Sequence, residues 1–149
     1  GQSNRMEGTV ISDAVNLASR MEGLTKLYGA SLLISQHTYN KLRHPERYLV
    51  RIMDRVRVKG KYESSVVYEV CHNDVLEERN AKAMVWAIFA EAFFLYERRE
   101  FQKARQLFTT CVQRNPQDRA AELFINRCTY YLQAGCPEDW DGVMELDVK

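Results

Sequence analysis

Asn16 and Arg20 stand four residues apart in the stretch TVISDAVNLASRMEGLTKLYG, residues 9–29. In a helix this spacing puts both side chains on one face, about one turn apart. An arginine offers a planar fork of donors that suits phosphate oxygens, and a carboxamide beside it offers a donor and an acceptor. The pair could therefore hold a phosphoryl or ribose group. Spacing alone favours a structural alternative, in which Arg20 pairs with Glu22 or Glu7 and Asn16 caps a bent first turn.

A second candidate for anion binding is VKGK, residues 58–61, where Lys59 and Lys61 flank a glycine at a predicted hairpin tip. An ammonium group at such a tip can reach a phosphate, although most turn lysines are simply solvated. Thr9 by itself is an ordinary strand threonine. We predict no metal site in this chain, because Asp13 alone does not supply the two carboxylates that a divalent cation on phosphates usually needs.

Elements of both types must position these residues in the first half of the chain. The helix that carries Asn16 and Arg20 is predicted to start at Ser12 or Asp13 and to end at Gly29. Strands are predicted at 31–35, 48–58 and 66–70, with a short helix capped by Ser35 after the first of them. In the middle strand, alternation predicts one apolar face and one basic face: Val50, Ile52, Val56 and Val58 against Arg51, Arg55 and Arg57.

Only helices are predicted from residue 74 onward. They span about 75–98, 100–114 and 118–134, and the stretch AGCPEDWDG then closes the chain without regular structure. The second helix has an apolar stripe of Phe101, Ala104, Leu107, Phe108, Cys111 and Val112, and the third has Ala121, Phe124, Cys128, Tyr131 and Leu132. The predicted domains are therefore an α+β unit at 1–72 and a helical tail at 73–149.

Composition disfavours a polyanionic partner. The 149 residues carry a formal net charge of +1, so the chain has no general field that would attract nucleic acid. The four cysteines form no CxxC pair, which favours reduced thiols and a cytoplasmic location for this segment. The apolar run at 83–96 is shorter than a membrane span and is interpreted as a buried helix. A membrane anchor upstream in a longer parent protein is compatible with this interpretation.

Taken together, TVISDAVNLASRMEGLTKLYG, LLIS and RVRVKGKYESSVVYEV resemble, in order and spacing, the C-terminal half of bacterial class III nucleotidyl cyclase catalytic domains. The resemblance covers residues 5–70. It implies a partial ferredoxin-like α/β domain that works as a head-to-tail homodimer and makes a cyclic nucleotide from a nucleoside triphosphate, with release of pyrophosphate. The expected function is thus part of an adenylate cyclase, which converts ATP to cyclic AMP.

The resemblance also implies roles for four residues. Asn16 matches the asparagine that orients the ribose, and Arg20 matches the arginine that stabilises charge on the α-phosphate in the transition state. Lys59 matches the lysine that holds the β- and γ-phosphates. Thr9 falls on the base-selecting position and favours adenine, while Ser12 stands where many members have glycine.

The family's two metal-binding aspartates match no position in this chain. The resemblance implies two Mg²⁺ or Mn²⁺ ions, with ligands from the N-terminal part of a partner protomer that lies upstream of residue 1. We therefore expect this chain alone to make no cyclic AMP. Because half of a sheet leaves open strand edges, we also expect a dimer or a larger species unless the tail covers the exposed surface.

Residues 96–128 within the tail resemble part of a tetratricopeptide-type helical hairpin, with Ala104 and Phe108 as packing positions. The tail could bind a protein partner, or it could simply cover the face or edge of the sheet. An alternative function is therefore a non-catalytic interaction or dimerisation module. A third, nucleic-acid binding through the arginine strand, lacks interleaved aromatic residues and general basicity.

Overall fold

The computed structural model describes residues 20–71 and 75–147 as a mixed α+β structure with one four-stranded sheet and several helices. Helix α1 is described over residues 20–28. The elements that follow are strand β1 (Leu33–Ser35), helix α2 (Gln36–Asn40), a short 3-10 turn (Pro45–Arg47), strands β2 (Leu49–Val58) and β3 (Ser65–Cys71), helices α3 (Leu76–Glu97), α4 (Phe101–Arg114) and α5 (Arg119–Ala134), and strand β4 (Met144–Leu146).

The local signals for the first two helices work as the sequence predicts. Gly29 adopts a φ of +65°, a left-handed conformation that ends α1, and the Ala30 N–H donates to the Thr25 carbonyl at 3.0 Å. The Ser35 hydroxyl accepts from the Thr38 N–H at 3.2 Å and caps α2. Leu24 and Tyr28 bury the inner side of α1 in the core. The predicted start of α1, at Ser12 or Asp13, lies outside the described residues.

The sheet has the order β1-β3-β2-β4, and β2 contains a β-bulge at Met53. Ile52 pairs with Tyr68 and Asp54 pairs with Val67, so Met53 is the extra residue on the bulged strand. The bulge shifts the alternation of side chains by one position. Before it the odd-numbered residues of β2 face the core, and after it the even-numbered residues do so.

This bulge makes the predicted faces of β2 partly wrong. Val56 and Val58 are buried as expected, but Arg51 shares their face and is only 7% exposed. Val50 and Ile52 instead lie on the half-buried opposite face, with Arg55 and Arg57. A strict period of two predicts faces correctly only for a strand without an inserted residue.

The three tail helices form where the sequence predicts them, and they pack around Phe124 of α5. Its ring lies within 4.9–5.9 Å of the rings of Phe89, Phe93, Tyr96 and Phe108. Of the predicted stripes, Phe101, Ala104, Phe108, Cys111, Ala121, Phe124 and Cys128 are buried. Leu132 is an exception, since it is 43% exposed. One hydrophobic core joins these helices to the buried face of the sheet.

The tail also contributes a strand, which was not predicted from the sequence. Strand β4 pairs in parallel with the end of β2, with Val56 opposite Met144 and Val58 opposite Leu146. Three residues are too few to show a strand period, and β4 forms because β2 offers it an open edge. The expectation of helices alone after residue 74 is therefore wrong.

In the part of the chain that the structure describes, no helix is both long and apolar enough to cross a membrane. All four cysteines are free thiols.

Candidate functional site

The predicted site residues lie partly outside the described structure. Thr9 and Asn16 belong to the segment before residue 20, so their predicted positions are not described. Arg20 is the first described residue of α1 and is half-buried. It precedes Tyr28, the residue that anchors the other end of this helix, by eight positions, or about 12 Å of helix.

Lys59 lies in the tight turn between β2 and β3 and is exposed. The Lys61 N–H closes the turn on the Val58 carbonyl at 2.9 Å, and Gly60 has a φ of +84°, as a type II turn requires at its third position. The Lys59 N–H donates to the Leu146 carbonyl of β4 at 2.7 Å. The turn is thus held from both sides while the Lys59 ammonium is free to extend into solvent.

A buried polar cluster of Tyr28, Asp54 and Arg127 connects α1, β2 and α5. The Tyr28 hydroxyl donates to Asp54 Oδ2 at 2.7 Å, and Arg127 Nη1 donates to the same oxygen at 2.8 Å. The second oxygen, Oδ1, accepts from the Arg55 N–H at 2.8 Å. Asp54 is completely buried, so these donors replace the water that its carboxylate would otherwise need.

Burial and the charges within this cluster keep the Tyr28 hydroxyl and the Arg127 guanidinium protonated. Burial raises the pKa of Asp54, although the hydrogen bonds from Arg127 and Tyr28 oppose that rise. Burial also works against the charge of Arg127, but Asp54 and the nearby tyrosine hydroxyls hold its pKa above the ordinary value. Burial and then the charge of Asp54 raise the pKa of Tyr28 far above its ordinary value. Tyr28 and Arg127 therefore remain hydrogen-bond donors over the physiological pH range.

Arg51 forms a second buried tie between the sheet and the tail. Its Nε donates to Glu69 Oε1 at 2.9 Å, and its Nη1 and Nη2 donate to the two carboxylate oxygens of Asp118 at 3.0 and 3.2 Å. The guanidinium also lies over the rings of Trp86 and Phe89, at 4.9 and 4.5 Å from their centroids. Alternation in the sequence predicts this arginine on the basic face, opposite the apolar face, whereas in the structure it is buried and paired.

The other two arginines of β2 are also engaged within the chain. Arg55 pairs with Glu97 at 2.9 Å, and Arg57 pairs with Asp141 at 3.2 Å and Glu145 at 3.1 Å. The nucleic-acid interpretation needed these side chains on one accessible basic face. The structure contradicts that arrangement, because each arginine is bound to carboxylates of the tail.

No cluster of three or more metal-ligating side chains is found within residues 20–71 and 75–147. The two metal ions implied by the resemblance stay an expectation about a partner protomer.

The roles of Tyr28, Asp54 and Arg127 were not predicted from the sequence. A signal was present, since Asp54 is the only acidic residue in the strand sequence LVRIMDRVRV. An acid inside a strand with apolar and basic neighbours calls for a buried partner. The partner, Arg127, lies 73 residues further along the chain, and no local pattern identifies it.

Comparison with known proteins finds relatives that are named adenylate cyclases. The chain is 36% identical over 129 residues to "Adenylate cyclase, terminal-differentiation specific" of Dictyostelium discoideum, which covers 86% of this chain and 6% of that protein. It is 49% identical over 71 residues to "Adenylate cyclase" of Anabaena cylindrica, 47% of this chain and 14% of that protein. It is 33% identical over 70 residues to "Adenylate cyclase 1" of Rhizobium meliloti (strain 1021), 47% of this chain and 10% of that protein.

These matches show that the chain is a segment related to adenylate cyclases. The Dictyostelium match covers 86% of the chain, so it includes strands β1, β2 and β3 and the tail helices α3 and α4 whatever its exact limits. The chain spans only a small part of each relative's length, at most 14%. No protein-family profile and no solved structure matches the chain.

Proposed function

We propose that this chain contributes the triphosphate-binding wall of an adenylate cyclase that converts ATP to cyclic AMP and pyrophosphate. The observation that carries the proposal is the 49% identity over 71 residues with the cyclase of Anabaena cylindrica. The structure supports it through Lys59, whose ammonium extends from a turn that hydrogen bonds hold on both sides. A charged donor on a fixed turn is suited to polyphosphate binding.

In this proposal each residue meets one part of the nucleotide. Lys59 binds the β- and γ-phosphates, which leave as pyrophosphate. Arg20 neutralises the charge that develops on the α-phosphate, and preorganised donors of this kind supply a large share of catalysis in phosphoryl transfer. Asn16 orients the ribose and Thr9 selects adenine, by resemblance to the class III family.

Two Mg²⁺ or Mn²⁺ ions would complete the site and neutralise phosphate charge when bound. We propose that their carboxylate ligands come from a second cyclase protomer in a head-to-tail homodimer. In this arrangement Arg20 and Lys59 bind the phosphates, while the partner protomer holds the ions. The arrangement predicts that the chain alone is inactive.

The remaining assignments are part of the same proposal. The α+β half corresponds to the C-terminal part of a ferredoxin-like cyclase domain, and α4 with α5 corresponds to a tetratricopeptide-like hairpin. The segment lies in the cytoplasm, where ATP is available. The contacts of Arg51 with Asp118 and of β4 with β2 support a tail that covers the face and one edge of the sheet.

A second candidate function is protein binding by the tail without catalysis. The observation that favours it is a set of exposed apolar side chains on α3: Leu76, Met84 and Phe94 are 68%, 62% and 54% exposed. A non-catalytic module would need these residues and would not need Lys59. The two candidates therefore differ in which substitutions matter.

Calorimetric titration of the chain with α,β-methylene-ATP and Mg²⁺ tests the proposal. This analogue cannot be cyclised, so binding is measured without turnover. Lys59→Ala should weaken binding about tenfold, because charge-assisted hydrogen bonds contribute about 1.5–3 kcal/mol each. The matched control is Lys41→Ala, which removes another exposed lysine, at the end of α2. Equal affinities of all three chains would contradict the proposal.

A further inference from the structure

One residue of the tail, Arg127, touches three elements at once. Its Nη1 donates to Asp54 of β2, and its Nη2 lies 2.9 Å from the sulfur of Met144 in β4. Its guanidinium carbon lies 4.7 Å from the centre of the Phe124 ring on its own helix. The side chain is therefore fixed by an ion pair, a sulfur contact and an aromatic ring.

Two of these contacts, those with Asp54 and Met144, lead on to a predicted triphosphate-binding residue. Asp54 accepts from the Tyr28 hydroxyl, and Tyr28 ends the helix that carries Arg20. Met144 starts β4, and the last residue of β4, Leu146, accepts the N–H of Lys59. The two lines of contact start from the same guanidinium, and they lead to the helix that carries Arg20 and to the backbone of Lys59.

We propose that Arg127 is a positioning residue, through which the helical tail fixes the relative placement of Arg20 and Lys59. This inference rests on the proposed function, since it assigns the tail a role in that same site. Arg127 acts through Asp54 and Met144 and does not contact the nucleotide. The tail is then a working part of the triphosphate site, in addition to being a cover for the sheet.

The physical basis is the burial of the cluster. Inside a protein a charged hydrogen bond is stronger than in water, and its geometry is held because no water is present to replace a lost partner. Loss of Arg127 leaves Asp54 buried beside Tyr28 without a cation, so both the α1 end and the β4 end of the cluster must rearrange. A shift of a fraction of an ångström at either end changes how Arg20 and Lys59 meet three linked phosphates.

Arg51 provides a matched control. It also ties the sheet to α5, but it is buried whereas Arg127 is half-buried, and it pairs with Asp118 instead of Asp54. It lies before the bulge of β2, whereas Asp54 and the Lys59 turn lie after it. Loss of Arg51 therefore weakens the tail interface without breaking a contact that leads to Lys59 or Tyr28.

The experiment compares Arg127→Met with Arg51→Met in the full 149-residue chain, after circular dichroism has shown that both are folded. Two quantities are measured: the exchange rate of the Lys59 amide hydrogen and the Kd for α,β-methylene-ATP with Mg²⁺. In Arg127→Met we expect faster exchange at Lys59 and a Kd raised about tenfold, within the usual range of coupling between sites. In Arg51→Met we expect the Kd to stay within about twofold of the wild type, even though the loss of its buried pair lowers the overall stability of the chain.

Two results would overturn the inference: wild-type affinity in folded Arg127→Met, or an equal loss of affinity in Arg51→Met. If a methionine variant fails to fold, the isosteric pair Asp54→Asn and Asp118→Asn makes the same comparison, and Tyr28→Phe removes only the hydroxyl link to α1. Failure of the proposed function has a different signature. In that case the wild-type chain does not bind the analogue, or Lys59→Ala binds it equally well.

Discussion

Arg51 of β2 and Asp118, the residue that caps α5, form a two-pronged buried ion pair with N···O distances of 3.0 and 3.2 Å. Asp118 also accepts the Ala121 N–H at 3.2 Å, so the same carboxylate starts the helix and binds the sheet. The pair joins residues 67 positions apart and is covered by the rings of Trp86 and Phe89. The attachment of the tail to the sheet is thus specified by charge as well as by apolar packing.

The buried ion pairs of Arg51 with Glu69 and Asp118 predict a large loss of stability in Arg51→Met. Glu69 and Asp118 would then remain buried without their cation, and breaking such a pair costs about 3–5 kcal/mol of the free energy of unfolding. Urea denaturation followed by circular dichroism measures the difference. The control is Arg57→Met, which removes pairs with half-exposed carboxylates and should cost at most about 1 kcal/mol. Similar losses in the two variants would contradict a special role for Arg51.

Local sequence signals were sufficient for most of the elements. The apolar periodicity of the tail, the glycine at position 29 and the serine cap at position 35 predict helices that the structure contains. The exposed Lys59 turn also follows from its local sequence, VKGK. These features depend on residues within a few positions of one another, which is why a single sequence reveals them.

Contacts over long sequence separations could not be predicted in this way. The bulge at Met53 leaves no mark in the sequence, yet it decides that Arg51 and Asp54 face the core. Strand β4 exists only because β2 has an open edge for it. The partner of Asp54 is 73 residues away, so its buried ion pair is a property of the assembled tail and sheet.

Two of the four cysteines should be resistant to alkylation in the folded chain. Burial raises the pKa of Cys111 to about 11 and that of Cys128 to about 12, so both remain protonated thiols near neutral pH. Cys71 and Cys136 are only half-buried. With iodoacetamide at pH 8, mass spectrometry should find label on Cys71 and Cys136 first. Labelling of Cys111 or Cys128 at the same rate in the folded chain would contradict the described packing.

The same thiols predict how stability changes at alkaline pH. In the unfolded chain a thiol has its ordinary pKa of 9.0, whereas Cys111 in the folded chain ionises only near 11. Above pH 9 the unfolded state therefore loses protons that the folded state keeps, and the free energy of unfolding decreases as the pH rises toward 11. Urea titrations at pH 8 and pH 10 measure this decrease. It should become smaller in Cys111→Ala.

Three glycines should respond differently to alanine. Gly29 has a φ of +65°, and an alanine in this left-handed conformation is strained by about 1–2 kcal/mol. In Gly29→Ala the new Cβ would also lie 3.0 Å from Cβ of Arg119, and this close contact adds to the cost. Gly60 has a φ of +84° but open space around it, so Gly60→Ala should cost only the strain. Gly23 lies inside α1, has no positive φ and has open space around it. Gly23→Ala should therefore stabilise the helix by up to about 1 kcal/mol.

Thermal unfolding of the three alanine variants gives their order. The lowest Tm is expected for Gly29→Ala, and the highest for Gly23→Ala. If Gly29→Ala were as stable as Gly60→Ala, the close approach of α1 to the start of α5 would be wrong.

Cyclic AMP formation by a mixture of two polypeptides tests the central claim most directly. This chain is combined with a cyclase polypeptide that carries both metal-binding aspartates but has alanine in place of its own phosphate-binding arginine and lysine. With Mg²⁺ or Mn²⁺ and ATP, we predict cyclic AMP from the mixture and none from either polypeptide alone. Arg20→Ala in this chain should lower the rate about 100-fold or more. Sustained cyclic AMP formation by this chain alone, or an unchanged rate with Arg20→Ala, would contradict the account.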